Sequence, residues 1–505
     1  MKRARRNTKN KKRNTLKKCI FGVGCSLFFV VMLLLYFSAL WYIRRFGETG
    51  FDSVMFTLLS NMGGVNGDLL GSYVIEGVLP TVLVSALSIY VLFIMKINKE
   101  WFLKIRFKQK GIFSAVLALL FFFMAGSKVN IFGYIKKMLL TSTIYEDYFI
   151  EPEDGMITFP DKERNIIMIF LESMETTYMS KQDGGAFVKN VIPELTVLAE
   201  DNCNFSHNDG VGGFLTPSGT GWTVAGLVSQ TSGVPLKGSS GALDFNEYGK
   251  EEFMPGVISL SDILKERGYK QTVVFGSDAS YANRDVFYRG HNTDNIYDLK
   301  TAKEEGFIEE DYYVWWGMED EYVYDYAKKK LSELSRGNEP FAFTMLTADT
   351  HFPDGYICTQ CESKYNEQYN NVIACASHQV NSFIEWIKKQ SFYKNTTVVV
   401  VGDHLSMDYQ FIGRNVPESY ERHVYNCFIN SVLPEENCKG RVFTSLDIFP
   451  TVLAAMGCEI KGERLGLGTN LYSGKPTLAE ELGYDNLEHQ LLYSSNYYIK
   501  KLMIR

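Results

Sequence analysis

Three uncharged, mostly apolar stretches crowd into the first 127 residues and constrain everything after them: Cys19 to Ile43, Gly77 to Met95 and Gly111 to Ser127. A helix needs roughly 20 apolar residues to cross a bilayer, with about 17 as the lower limit. The first stretch is too long for a cleaved signal peptide. It runs into Leu40-Trp41-Tyr42-Ile43-Arg44-Arg45, which is no small-x-small cleavage site. The pattern predicts a three-span membrane anchor followed by a large separate domain.

Charge sets the expected orientation. Residues 1–18 carry ten Lys or Arg and no acid, and Lys96–Lys110 carries six basic residues. Between the first two stretches there are two, Arg44 and Arg45. The positive-inside rule places the tail and the second loop in the cytoplasm, and three spans then put everything past Lys128 outside the cell membrane. Glu76 is expected at the outer edge of the second span, within reach of headgroups. Past residue 127 there are 34 basic and 53 acidic residues, a net of −19. Such a field does not attract nucleic acid or another polyanion, and it serves either solubility or the selection of a partner. The expected organisation is a tail and spans over 1–127, a membrane-proximal connector over 128–160 and an extracytoplasmic domain over 161–505.

Seven of the nine cysteines lie in the outer part. Cys358 and Cys361, with Cys375, suit a metal knuckle but leave a fourth ligand unaccounted for. Outside a membrane, disulfides are the commoner use of cysteine. Cys427 and Cys438 are a second candidate pair.

The outer part alternates strand and helix patterns. Asn165–Ser173 (NIIMIFLES) is a β-branched run without polar alternation, as expected of a strand buried on both faces. Phe341–Thr347 and Thr396–His404 read the same way. Ser259–Asp278 reads as a capped amphipathic helix, a Gly stop and another strand. This alternation predicts an α/β fold with a mainly parallel sheet sandwiched by helices.

Open α/β sheets place their chemistry beyond the carboxyl ends of the strands. Here those ends deliver Glu172, Asp403 with His404, His351, and Asp278 with Arg284. Each alone is ordinary. Together, two carboxylates and an imidazole form a ligand set for a divalent cation, with room for a hydroxyl. Thr223 can supply the hydroxyl. It follows Gly219-Thr220-Gly221-Trp222 and opens the helical pattern TVAGLVSQ. A helix N-terminus favours an anionic oxygen and a phosphate, and a metal activates a bound hydroxyl. The alternatives are that Thr223 is only a helix cap, or that Thr216, Ser218 or Thr220 carries the reaction. Trp222 either walls the site or packs beneath the loop.

In this order, NIIMIFLES, GTGWTVAG, ANRD, THFPDG and VVGDH resemble the lipoteichoic acid synthase and phosphoglycerol transferase family. Thr444–Gly457 (TSLDIFPTVLAAMG) resembles a late helix of the wider sulfatase and alkaline phosphatase superfamily. The resemblance covers roughly residues 140–460 and the anchor. GTGWT followed by SQTSGVPL is closer to transferases that decorate periplasmic glucans than to the polymerases. Two departures stand out: three spans where the polymerases usually have five, and Ala282 where they tend to carry an aromatic.

The resemblance implies a sulfatase-like domain in which Glu172, Thr223, Asp403 and His404 bind the metal, Mn²⁺ or else Mg²⁺ or Zn²⁺. Thr223 would be the nucleophile. Arg284 and His351, with Trp222 and Asp278 beside them, would hold the donor's phosphoglycerol, and both would be catalytic, Arg284 spreading the equatorial charge and His351 donating a proton to the leaving oxygen. The donor would be phosphatidylglycerol and the acceptor a cell-envelope glycan, glycolipid or glycerol-phosphate chain. Rival readings are a phosphoethanolamine transferase, a phosphodiesterase with water as acceptor, and a non-catalytic surface receptor or scaffold. A sulfatase activity is excluded: no Cys or Ser is followed by x-Pro-x-Arg.

Overall fold

Asn165–Leu171 has no polar alternation because both of its faces are covered. Ile166, Met168 and Phe170 enter one apolar core, and Ile167, Ile169 and Leu171 enter another. The structure is a computed structural model and describes residues 2–46, 67–91, 107–237, 252–312 and 314–503. The described residues form two compact units, the N-terminal helices as far as Tyr134 and the chain from Ile135 onward.

The second unit is built on a seven-stranded sheet. Its strands are β1 (Asn165–Leu171), β2 (Gly213–Phe214), β3 (Lys270–Phe275), β4 (Asn295–Tyr297), β5 (Phe341–Leu346), β6 (Thr396–Gly402) and β7 (Val424–Ile429). The spatial order is β2-β7-β6-β1-β5-β3-β4. From β6 to β4 all neighbours are parallel, with Ile169 of β1 lying between Met345 of β5 and Val400 of β6. β7 runs antiparallel to β6, and β2 antiparallel to β7. The mainly parallel sheet expected from the sequence therefore carries an antiparallel edge.

Helices cover both faces, as the two-sided burial requires. One core takes the apolar side chains of α1 (Thr223–Ser232) and α3 (Ser445–Ala455), the other those of α2 (Gln368–Lys388). Local signals account for the helix ends. A capping box of Thr444 and Asp447 opens α3, and α1 stops at Gly233, whose φ of 68° a side chain would disfavour. A short C-terminal helix, α4 (Tyr484–Leu492), completes the site region.

Much of the expected connector is part of this unit. Ile144 and Tyr145 are buried in the first core, Ser142 N–H donates to the Ser494 carbonyl, and Ile157–Thr158 pairs with Glu459–Ile460. The placement of the cysteines also differs from expectation, and Cys203, Cys427 and Cys438 are all unbridged. Cys427, on β7, faces the second core and its thiol donates to the Leu198 carbonyl. Cys438 faces the first core, 3.1 Å from the Cys203 sulfur. Cys427 and Cys438 therefore lie in cores on opposite sides of the sheet.

In the first unit, three helical segments are long and apolar enough to cross a membrane: Val23–Arg45, Leu70–Ser88 and Gly111–Lys128. Glu76 lies inside the second segment rather than at its edge. Arg45 answers it at 2.8 Å and Arg44 at 3.7 Å, since a carboxylate on an apolar helix needs a cationic partner. The end of the second stretch and the basic loop as far as Arg106 fall outside the described residues.

Candidate active site

The central strands β6, β1, β5 and β3 end side by side, and each hands one or two polar groups to the same rim. Glu172 follows β1, Asp403 and His404 follow β6, His351 lies five residues after β5, and Arg284 follows the β3 loop. Glu172 is 2% exposed, and Asp403 and His404 are fully buried. Ligand atoms from these three all lie within 4.8 Å of one another.

Each member of the trio is locked. Asp403 Oδ1 accepts the amides of Ser173 and His404, both at 2.8 Å. Glu172 Oε1 accepts the Ser173 hydroxyl at 2.8 Å, and the Glu172 main chain is clamped by the Thr347 and Thr350 hydroxyls. His404 Nδ1–H donates to the Leu405 carbonyl at 2.8 Å, which leaves the Nε2 lone pair facing the carboxylates. Glu175 pins the following loop by accepting the Ser406 amide, and Arg422 in turn pairs with Glu175.

Thr223 is the first residue of α1, and its hydroxyl enters the trio. Oγ1 lies 3.3 Å from His404 Nε2 and 3.4 Å from Glu172 Oε2. His404 Nε2 is 3.3 Å from Asp403 Oδ2 and 3.5 Å from Glu172 Oε1. These are long for hydrogen bonds but close to the ~3.4 Å that separates oxygen and nitrogen ligands set ~2.1 Å from a tetrahedral cation. Asp403 Oδ2 is buried and accepts no hydrogen bond among the described residues. An orphaned carboxylate oxygen, a directed imidazole, a second carboxylate and a hydroxyl together fit a divalent cation.

The electrostatics agree with that fit. Burial and the adjacent Glu172 push Asp403 well above the usual carboxylate range. Burial alone would lower His404, but Asp403 and Glu172 outweigh it and hold the imidazole above its ordinary value. Glu172 is lowered, because His404 and His351 overcome the cost of its burial. Without a cation, Asp403 and His404 therefore hold their protons to higher pH than the free side chains do.

Thr223 is no helix cap. Trp222 occupies that position in extended conformation, and no side chain caps the helix. The Gly219 φ of +84° makes the turn, while a Cβ on Gly221 would meet only open space. The neighbouring hydroxyls are engaged elsewhere. Thr220 donates to the Pro217 carbonyl at 2.7 Å, and Ser218 is held by Glu488 of α4. Trp222 packs against the first core.

Arg284 is 4% exposed. Its Nε donates to the Tyr281 carbonyl, and Nη2 donates to the Ser277 hydroxyl and the Asp278 carbonyl. The guanidinium lies 4.8 Å from the Phe275 ring centroid, and burial lowers its pKa. Asp278 itself stays in the turn, its Oδ1 accepting the Ser280 amide at 2.8 Å. His351 Nδ1–H donates to the Phe352 carbonyl at 2.7 Å, leaving Nε2 unprotonated in the neutral ring. Burial lowers His351 despite the opposing pull of Glu172.

Sequence reasoning missed the aromatic wall around His351. Trp316 lies 4.5 Å and Trp315 6.1 Å from its ring centroid, and Tyr281 contacts Trp316 at 5.7 Å. Nothing local marks these tryptophans, which arrive from a distant segment. The Thr347 and Thr350 clamps were more legible, since both flank His351 in LTADTH.

Comparison with known proteins adds family context. Residues 164–458 match the model of the family described as Sulfatase. Phosphoglycerol transferase I of Escherichia fergusonii is 29% identical over 445 residues, which cover 84% of this chain and 53% of that protein. Phosphoglycerol transferase I of Salmonella choleraesuis is 32% identical over 344 residues, covering 65% of this chain and 41% of that protein. The chain thus spans about half or less of the length of these curated relatives. The integral membrane lipooligosaccharide phosphoethanolamine transferase A of Neisseria meningitidis shares the fold, with a TM-score of 0.50, 14% identity and coverage of 86% of this chain and 84% of that one.

Proposed function

The chain belongs to the sulfatase family, and from that premise we propose that it is a membrane-anchored, metal-dependent phosphoglycerol transferase. It moves glycerol phosphate from phosphatidylglycerol to a cell-envelope glycan or glycerol-phosphate polymer. The observation that carries this reading is the placement of the Thr223 hydroxyl, 3.3 Å from His404 and 3.4 Å from Glu172 at an uncapped helix N-terminus. The kinship with phosphoglycerol transferases supports the choice of donor.

Glu172, Asp403, His404 and Thr223 would hold the cation, Mn²⁺ by preference. When bound, the cation supplies Lewis-acid stabilisation of the oxygens at the reacting phosphorus. Thr223 Oγ attacks phosphorus, the bond to the diacylglycerol oxygen breaks, and diacylglycerol leaves with a proton. The threonine hydroxyl has released one, so the half-reaction is proton-neutral. The product is a phosphoglyceryl-threonine ester. An acceptor hydroxyl then attacks the same phosphorus, and Thr223 regains its proton. First-turn amides of α1 and the Nη1 end of Arg284 are the donors for the phosphoryl oxygens. Neutral His351 takes up the proton released by Thr223 at Nε2 and delivers it to the departing diacylglycerol oxygen, and in the second half-reaction it relays the acceptor's proton back to Thr223.

The test is to incubate the full chain with head-group-labelled phosphatidylglycerol and no acceptor, then quench and map the peptides. A phosphoglycerol adduct on Thr223, absent in Thr223→Ala, is expected. A parallel arm with labelled phosphatidylethanolamine tests the donor. Label from that lipid alone would replace phosphoglycerol transfer with phosphoethanolamine transfer, and an adduct on another residue would remove Thr223 from the reaction.

A further inference from the structure

Cys358, Cys361 and Cys375 converge away from the trio of Glu172, Asp403 and His404. The first two lie in the loop that follows β5 and carries His351, while Cys375 lies on α2. Cys358 Sγ is 3.6 Å from Cys361 Sγ and 3.7 Å from Cys375 Sγ, and all three sulfurs lie within 4.8 Å of one another. Thiolates set ~2.3 Å from a tetrahedral ion are ~3.8 Å apart. A disulfide would use two of these sulfurs and leave the third, whereas one cation uses all three.

The three cysteines lack a fourth ligand, and Gln379 stands where one is needed. It is four residues past Cys375 on the same face of α2. Its side chain is 5% exposed, and Nε2 lies 3.2 Å from both Cys358 Sγ and Cys375 Sγ. Its Oε1 is buried and has no hydrogen-bond partner among the described residues. A half-turn about the terminal torsion exchanges the two ends of the amide. It brings the orphaned oxygen to the position facing the sulfurs.

We propose that Cys358, Cys361, Cys375 and Gln379 form a second metal site, for a borderline-to-soft divalent cation of the zinc class. Three thiolates and one neutral oxygen are a softer set than the oxygen-rich active site, so the two sites select different ions. Loading releases the three thiol protons to solvent, and no electron transfer is involved. The ion ties the His351 loop to α2 and has a structural role. The proposal is independent of the transferase reading, because it concerns metal content and not turnover.

The experiment uses the full chain in detergent, purified without chelator and dialysed against zinc, in an Asp403→Ala background that removes an active-site ligand. One zinc per chain is expected by elemental analysis. Cys358→Ser or Cys361→Ser should lose it, and Gln379→Ala should bind it at least tenfold more weakly in chelator competition. Cobalt-loaded protein should show a thiolate-to-cobalt charge-transfer band that Cys361→Ser lacks. Cys361 is partly exposed, so this variant guards against a folding defect. Two results overturn the proposal: zinc-free protein whose three thiols all alkylate freely, or a disulfide-linked peptide joining two of them in unreduced protein.

Discussion

Gly226 rests directly against the main chain of Asp403: a Cβ at position 226 would sit 2.3 Å from the Asp403 carbonyl oxygen. Thr223 lies one turn earlier on the same helix face. The contact that seats α1 against the end of β6 therefore also sets where the Thr223 hydroxyl lands. One turn further on, Gln230 Nε2 donates to the Gly402 and Asp403 carbonyls, each at 3.0 Å.

Gly226→Ala separates helix propensity from site geometry. Alanine favours a helix interior over glycine by about 1 kcal/mol, so propensity alone predicts a more stable protein. The added Cβ instead pushes α1 off Asp403, and a misplacement on the order of 1 Å costs ~100-fold in rate. The expected result is a ~100-fold fall in kcat with the circular dichroism spectrum retained. Unchanged turnover would show that α1 adjusts without moving Thr223.

Thr223→Ala should leave stability almost untouched, because Trp222 is the cap residue and no side chain caps α1. A lost cap costs ~1 kcal/mol, or a few degrees of Tm in a large domain. Tm is expected to stay within about 2 °C of wild type while transfer is lost. Thr223→Ser should retain part of the activity. A clear drop in Tm with activity preserved would assign Thr223 a structural role.

Metal binding should weaken as pH falls. Burial and Glu172 raise Asp403, and the two carboxylates raise His404 against the pull of burial. Groups with raised pKa hold protons to higher pH, and a cation must displace them. Affinity is expected to fall about tenfold per pH unit for each proton displaced, measured by titration calorimetry on both sides of neutrality. Glu172→Gln should weaken binding overall and shift the acid limb to lower pH, because the charge that raises both partners is gone. Affinity that is flat with pH would mean that the cation binds elsewhere.

Arg284→Lys should not rescue Arg284→Ala. Nε and Nη2 make three separate bonds to the turn at 277–281, and one ammonium cannot reproduce that fork while facing a phosphate. Both variants should lose ~100-fold in kcat/KM for the lipid donor, in line with a lost charge-assisted contact of about 2.7 kcal/mol. A lysine variant with near wild-type kcat/KM would show that only the charge matters.

Protease added to intact cells or spheroplasts should release a fragment of about 40 kDa if the chain past residue 130 is one external domain. Cleavage only after lysis would reverse the orientation inferred from the basic tail.

The sequence by itself determined what local physics controls. Short β-branched apolar runs without alternation suited strands buried on both faces, and Asn165–Leu171 and Thr396–Gly402 are central strands of the sheet. Carboxylates and imidazoles just past such strands marked a rim, because strand ends are where an α/β sheet exposes its backbone to a ligand. Tertiary structure decided what depends on contacts between distant segments. It set Thr223 beside His404 across 181 residues, kept Asp278 in its own turn and brought Trp315 and Trp316 against His351. It set Cys438 beside Cys203 rather than Cys427, because Cys427 faces the second core and Cys438 the first. Spacing along the chain reports which residues share a face of one element. Which elements then meet depends on burying both faces of the sheet at once, and no single segment carries that information.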